Sequence, residues 1–347
     1  MEDSSSALFP VGRRGPYPGR TIPVGGLRMA QVYSHAPVLV DEVVRLLAPV
    51  PPGIVIDGTV GGGGHAAAIL EGRDDLVVLG LDRDPDAVLA ARRALDRFGD
   101  RAVVRQARFA TMAAACAEAR DAGALRSADP VVGVLLDLGV SSHQLDSAGR
   151  GFSYRHEGPL DMRMGPDDGP TAAEYLRRVD EDQLAALLVA NGEQRFGRGI
   201  ARSILASRPT STAELAAAVE RAVPAAARRH GHVASRTFQA LRIAVNEELE
   251  ELAAALAAAQ ALLVEGGRLV VISYHSGEDT LVKSTLRDAA TGGCTCPPLL
   301  PCVCGAVPSM RLVTRGAHKA TAVEIAENPR ARSARLRVAE RIGTVPT

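Results

Sequence analysis

Tryptophan is absent from this chain, and five tyrosines and six phenylalanines are its only aromatics, so any core must be built from aliphatic side chains. Lys283 and Lys319 are the only lysines. Arginine supplies the rest of the positive charge and offers planar, bidentate phosphate contacts that lysine lacks, although a compositional bias of the source genome gives the same count. Forty basic residues balance forty acidic ones, so whole-chain charge announces no nucleic-acid partner. No apolar run approaches the roughly 20 residues of a membrane span. Residues 1–33 are rich in Ser, Pro, Gly and Arg without an apolar signal-peptide core, and read as a disordered leader. A soluble cytoplasmic protein is the simplest expectation. Neither lysine has a tyrosine four residues before it, which removes the Tyr-x-x-x-Lys pair of many nicotinamide dehydrogenases. No Gly-x-x-x-x-Gly-Lys-Ser/Thr element occurs, which removes a P-loop nucleotidase.

What is present begins at Ile54-Val55-Ile56-Asp57-Gly58-Thr59-Val60-Gly61-Gly62-Gly63-Gly64-His65. An apolar β-branched run ends on a carboxylate and breaks into five glycines within seven residues. Each glycine costs backbone entropy on folding, so the cluster implies unusual dihedrals or a ligand pressed against bare backbone. The alanine-rich stretch from Ala66 to Leu70 reads as the start of a helix. Strand, glycine turn and helix N-terminus form a cradle for a nucleotide-like or carboxylate-bearing ligand. A second apolar run, Leu76 to Leu81, ends at Asp82-Arg83-Asp84-Pro85. An acid there, roughly 20 residues past the glycines, is placed to hold a ribose hydroxyl pair; the alternative is a helix cap, a part that Asp84-Pro85 already fills.

Ala102–Arg105 and Val131–Leu136 continue the βαβ spacing, and the latter stops at Asp137. From 143 to 240 the alternation gives way to loops and helices. Thr171-x-x-Glu174 and Ser211-x-x-Glu214 spell capping boxes, and Gly192 sits where a helix from Asp180 should stop. A helix over 246–263 then leads to the strand Arg268–Ser273. The pattern predicts a parallel α/β sheet with a helical insertion after its fourth strand, Asp57 and Asp137 marking the carboxyl ends where such sheets bind ligands. With the other common users excluded, an S-adenosylmethionine-dependent methyltransferase remains.

Several segments, in order and spacing, resemble one family: His35-Ala36-Pro37-Val38-Leu39, Leu135-Leu136-Asp137-Leu138-Gly139-Val140-Ser141-Ser142, Gly151-Phe152-Ser153, Gly158-Pro159-Leu160-Asp161-Met162-Arg163-Met164, Arg236-Thr237-Phe238-Gln239-Ala240 and Glu327-Asn328-Pro329-Arg330-Ala331-Arg332-Ser333, beside the glycine and Asp82 segments. The chain looks like the ribosomal RNA small subunit methyltransferase H family from about His35 to Arg341. That resemblance implies a Rossmann-like methyltransferase sheet in two pieces, 34–142 and 241–347, with 143–240 inserted to recognise RNA. It implies methylation of N4 of a decoding-region cytidine in 16S rRNA of the small ribosomal subunit. It puts S-adenosylmethionine at Gly63, Gly64, His65, Asp82, Phe109, Asp137 and Gln144. Phe109 as plain core, and His65 as a capping or core histidine, are the alternatives.

Cytosine N4 is a poor nucleophile, so the chemistry needs positioning and an acceptor for the amine proton. Asp137 is the candidate, with a purely cofactor-orienting carboxylate as its alternative; Tyr274 and His275 are further candidates. Arg163, Arg195, Arg198, Arg236 and Arg242, with Arg330 and Arg332 of the basic segment 328–337, are candidates to grip RNA, against the alternative of a solvated surface. An assembly factor that binds cofactor without methylating, or a methyltransferase on another nucleic acid, would share much of this pattern; the DNA-type Asp/Asn-Pro-Pro-Tyr signature is absent after the fourth strand.

Two departures from the family pattern stand out. Gly277 replaces a larger apolar residue, which is expected to loosen its loop. Cys294, Cys296, Cys302 and Cys304 lie in a Pro-rich loop over 294–304, where a structural zinc and reduced thiols are both open readings. Cys116 sits on an alanine-rich stretch and reads as core.

Overall fold

Residues 37–166, 168–228, 234–297 and 303–343 are described by the computed structural model. The leader, His35, Ala36 and Cys302 lie outside them. Among the described residues no helix is long and apolar enough to cross a membrane.

Seven strands form one sheet: β1 (Gly53–Asp57), β2 (Leu76–Asp82), β3 (Ala102–Gln106), β4 (Val131–Asp137), β5 (Leu263–Ser273), β6 (Met310–Leu312) and β7 (Arg335–Arg341), in the order β3-β2-β1-β4-β5-β7-β6. β1 to β5 pair in parallel, whereas β7 runs antiparallel to both β5 and β6. The sheet is therefore mixed rather than all parallel. Its order, with one reversed strand beside β5, is that of a Rossmann-like sheet.

Successive strand residues point to opposite faces, and β1 divides accordingly. Val55 joins Val78, Leu135 and Val270 in one core, beneath the helices Val40–Leu47, Gly64–Gly72 and Pro85–Leu95. Ile54 and Ile56 join Leu79, Val134 and Leu136 in a second, beneath Met112–Asp121, Glu248–Leu262 and Ser276–Thr291. Cys116 is buried in that second core, 1% exposed.

Between β4 and β5, a third core with no strand contains Phe152, Leu176, Leu188, Ile204, Leu215 and Phe238. Its capping boxes are those read from sequence: Thr171 with Glu174 and Ser211 with Glu214, plus Asp180 with Gln183. The expected helix 246–263 is broken. One helix ends at Asn246, Glu247 takes a left-handed backbone (φ 52°), and the next begins at Glu248. The buried Asn246 side chain accepts from Met164 N–H and donates to the Met162 carbonyl, tying the break to the loop before Ala172–Arg178.

The entry to this helical region is closed by backbone contact. A Cβ on Gly158 would stand 1.9 Å from the Ala148 carbonyl oxygen, while Gly158 also exchanges hydrogen bonds with Thr212. Backbone cannot yield as a side-chain tip can. Gly158→Ala should therefore lower stability by roughly 2–4 kcal/mol, read as a lower urea midpoint. A midpoint equal to wild type would mean that this loop relaxes freely.

Candidate active site

A cavity of about 650 Å³ opens at the carboxyl ends of β1, β2, β4 and β5, within the range of small-molecule sites. Its floor is the glycine turn. Gly63 caps the helix Gly64–Gly72 with φ 86°, a left-handed conformation that a side chain would strain. Ala67 N–H makes the first helical bond, to Gly63 O, so the preceding N–H groups of that turn have no helical acceptor, and Gly64 and His65 line the cavity.

Asp82 ends β2 and lines the same cavity. Its oxygens accept from Gly61 N–H at 3.0 Å and from Asp84 N–H at 2.9 Å. An ionised carboxylate has about four acceptor positions, so two remain for incoming hydroxyls. Burial, reinforced by the charges of Asp84 and Asp57, pushes its pKa up to about 7 against those N–H donors. Asp57, 1% exposed behind the glycine turn, is pushed by burial to about 6, and its Oδ2 has no hydrogen-bond partner among the described residues.

Both acids ordinarily titrate near 3.8. The folded chain therefore binds more protons than the unfolded chain between that value and 6 to 7. Stability from these groups is fully present below 3.8 and is lost as pH rises through the folded values, by up to roughly 1.4 kcal/mol per unit for each group. The ligand-free protein should have a lower urea midpoint at pH 7.5 than at pH 5, and Asp57→Asn/Asp82→Asn should flatten that difference. An unchanged slope in the double variant would assign it to other groups.

The far wall is built on Asp137, at the end of β4. Its backbone N–H donates to Thr59 Oγ1 at 2.7 Å, Tyr274 O–H donates to Oδ1 at 2.7 Å, and Oδ2 stands 3.8 Å from His65 Nδ1. His65 Nε2 lies 2.9 Å from the Val38 carbonyl, which only accepts, so that nitrogen carries the proton and Nδ1 faces the acid. Burial raises Asp137 above its ordinary value, with His65 and the Tyr274 hydroxyl opposing. Burial first, and then the Asp137 charge, raise the Tyr274 phenol strongly, so it stays a donor.

A model of the MraW methylase family matches residues 32–342. The chain belongs to the MraW methylase family. Curated relatives match nearly end to end. The ribosomal RNA small subunit methyltransferase H of Heliobacterium modesticaldum is 48% identical over 320 residues, covering 90% of this chain and 99% of its own. That of Myxococcus xanthus is 50% identical over 318 residues, with 90% and 99% covered. That of Geobacter sulfurreducens is 47% identical over 317 residues, with 89% and 99% covered.

In this MraW methylase chain, Gly64, His65, Asp82, Phe109, Asp137 and Gln144 all line one cavity, and Tyr274 joins them. His275 does not. It caps the helix Ser276–Thr291, its Nδ1 accepting from Glu278 N–H and its Nε2 lying 3.1 Å from Glu278 Oε1. Gly277 is thus inside a capped first turn and not in a slack loop. Burial would raise Glu278, but the His275 ring and Arg242 hold it below its ordinary value.

The arginines divide. Arg163 is clamped by Asp161 at 2.8 and 2.9 Å, and Arg242 by Glu248 with two contacts of 2.8 Å, so both already have carboxylate partners. Arg198 lies on Asp182, Arg236 stands 3.7 Å from Glu193, and Arg195 stacks over Phe196; the Arg198 and Arg236 side chains are well exposed. Arg330 and Arg332 line the cavity mouth, Arg330 3.4 Å from Asp146.

Arg83 and Asp84 join the loop after β2 to the helical region and to the helix Glu248–Leu262, which local sequence did not reveal. Arg83 reaches Asp168 at 2.6 Å and Glu251 at 3.2 Å; Asp84 Oδ2 accepts from Gln144 at 3.0 Å and Arg150 at 2.8 Å. These partners lie 60 to 168 residues away, beyond any periodicity. Cys294, Cys296 and Cys304 lie outside the cavity lining.

Proposed function

We propose that this protein methylates N4 of a cytidine in the decoding region of 16S rRNA, within the small ribosomal subunit, using S-adenosylmethionine. The observation that carries the reading is the single cavity that joins a ribose-type acid, Asp82, to the Asp137–Tyr274 pair, in a chain whose relatives are named as small subunit rRNA methyltransferases.

The residues present suit the cofactor. The helix N-terminus at 64–66 would receive the methionyl carboxylate, Asp82 the two ribose hydroxyls and Phe109 the adenine face. When bound, S-adenosylmethionine supplies an electrophilic methyl group on a sulfonium. Asp137 does the chain's part of the chemistry. Tyr274 fixes Oδ1, which leaves Oδ2 to accept an N4–H of cytosine and turn the nitrogen lone pair toward the methyl group. In the transfer the N4–C bond would replace the sulfonium S–C bond, whose electron pair stays on sulfur, and the amine proton would pass to that carboxylate, whose burial-raised pKa makes it a better acceptor than an exposed aspartate. The target base must be unstacked to reach this depth. Arg330 and Arg332 at the mouth, with Arg198 and Arg236 on the helical region, would hold the flanking phosphates; Arg163 and Arg242 would shape the pocket through their carboxylate partners.

The test uses purified protein, tritiated S-adenosylmethionine and small subunits from a strain lacking the gene. Label should appear in hydrolysed RNA as N4-methylcytidine. Label in another nucleoside would overturn the assignment, and tight cofactor binding without transfer would make the protein an assembly factor.

A further inference from the structure

Among the described residues, the loop between the helix Ser276–Thr291 and β6 shows no buried apolar anchor. None of its described residues 292–309 is buried, and Val303 is 87% exposed. Pro297, Pro298, Pro301 and Pro308 have no backbone N–H to donate. Its base is pinned by backbone, Cys294 N–H to Thr291 O at 3.2 Å and Ser309 N–H to Ala289 O at 2.9 Å. Yet Cys294, Cys296 and Cys304, from both limbs of the loop, gather their sulfurs within 4.8 Å of one another.

We propose that these three thiolates bind a zinc ion that cross-links the loop. With Zn–S bonds of roughly 2.3 Å, tetrahedral geometry separates the sulfurs by roughly 3.8 Å. Reaching that from 4.8 Å asks for shifts of about an ångström, small for a surface loop. Residues two apart in extended chain project to the same side, which lets Cys294 and Cys296 share one ion while Cys304 closes it from the returning limb. Each thiol that ligates releases its proton to solvent, and no redox change is involved. The site is structural, since it lies outside the catalytic cavity; its work is to hold β6 against β7.

A second gathering of metal-type ligands, Glu248, His275 and Glu278, is a different case. Arg242 already occupies Glu248 there, and Glu278 accepts from the Tyr274 and His275 N–H groups. A fixed cation and internal donors already engage both carboxylates of that cluster.

The full chain, expressed with zinc and purified without chelator in reducing buffer, should carry about one zinc per chain. Cys294→Ser/Cys304→Ser should lose it and melt roughly 5 °C lower, with S-adenosylmethionine affinity within about twofold of wild type because the loop lies outside the cavity. Cobalt reconstitution should give thiolate-to-metal charge-transfer absorption in wild type and none in the double variant. Should the variant not fold, chelator-treated wild type provides the same readout: a lowered melting temperature restored by zinc. Wild-type protein that stays metal-free after reconstitution, equal metal in both proteins, or a disulfide among these cysteines in freshly reduced protein would overturn the proposal.

Discussion

Asp137→Asn should slow single-turnover methyl transfer by roughly a hundredfold or more, the lower range for loss of a general base, while S-adenosylmethionine affinity changes less than tenfold. The amide keeps the shape of the acid, so Tyr274 O–H still finds an oxygen 2.7 Å away and the backbone bond to Thr59 is untouched. What disappears is the negative oxygen facing the cavity. An amide cannot take the amine proton, and its NH2 would meet the N4–H donor head-on. Tyr274→Phe leaves the carboxylate but frees Oδ1, so a smaller loss, roughly tenfold, is expected from misorientation. Calorimetry on both variants separates affinity from rate. If Asp137→Asn lost cofactor affinity and kept its turnover at saturation, Asp137 would be a cofactor ligand and the proton would leave by another route.

How much of this was legible beforehand depended on how local each signal is. Apolar runs ending in acids placed β1, β2 and β4 to within a residue or two, because buried parallel strands need unbroken apolar sequence. Capping boxes are four-residue signals and were found where they were read. β7 was not read as a strand. In Arg335-Leu336-Arg337-Val338 the alternation is there, but the arginines made the segment look solvated. In the fold, Leu336 and Val338 are buried while Arg335 and Arg337 close on Asp279 at 2.8 Å, a partner 56 to 58 residues distant. The same distance problem hid the clamps on Arg163 and Arg242 only in part. Asp161 is two residues from Arg163 and could have been suspected, whereas the Arg242–Glu248 pair depends on the helix break at Glu247, which Asn246 imposes through contacts some 80 residues away. Cavity-lining residues fixed by backbone position were therefore visible in sequence; contacts fixed by tertiary charge pairing were not.

Asp82→Ala should weaken S-adenosylmethionine binding by roughly a hundredfold, about two charge-assisted hydrogen bonds, with turnover at saturating cofactor much less affected. The carboxylate also accepts from Gly61 N–H, so part of the loss would come from a slacker glycine turn. pH separates the two contributions. With its pKa pushed by burial to about 7, Asp82 is largely protonated at pH 6 in the ligand-free protein. A protonated carboxyl has fewer acceptor positions for the ribose hydroxyls, so wild-type affinity should rise as pH increases from 6 to 8 and then level off. Asp82→Asn cannot titrate, so its weaker affinity should stay flat across that window. Titration calorimetry at three pH values would decide: a wild-type affinity that does not change between pH 6 and 8, or a variant that retains the wild-type slope, would mean that Asp82 binds the cofactor without its charge or does not bind it at all.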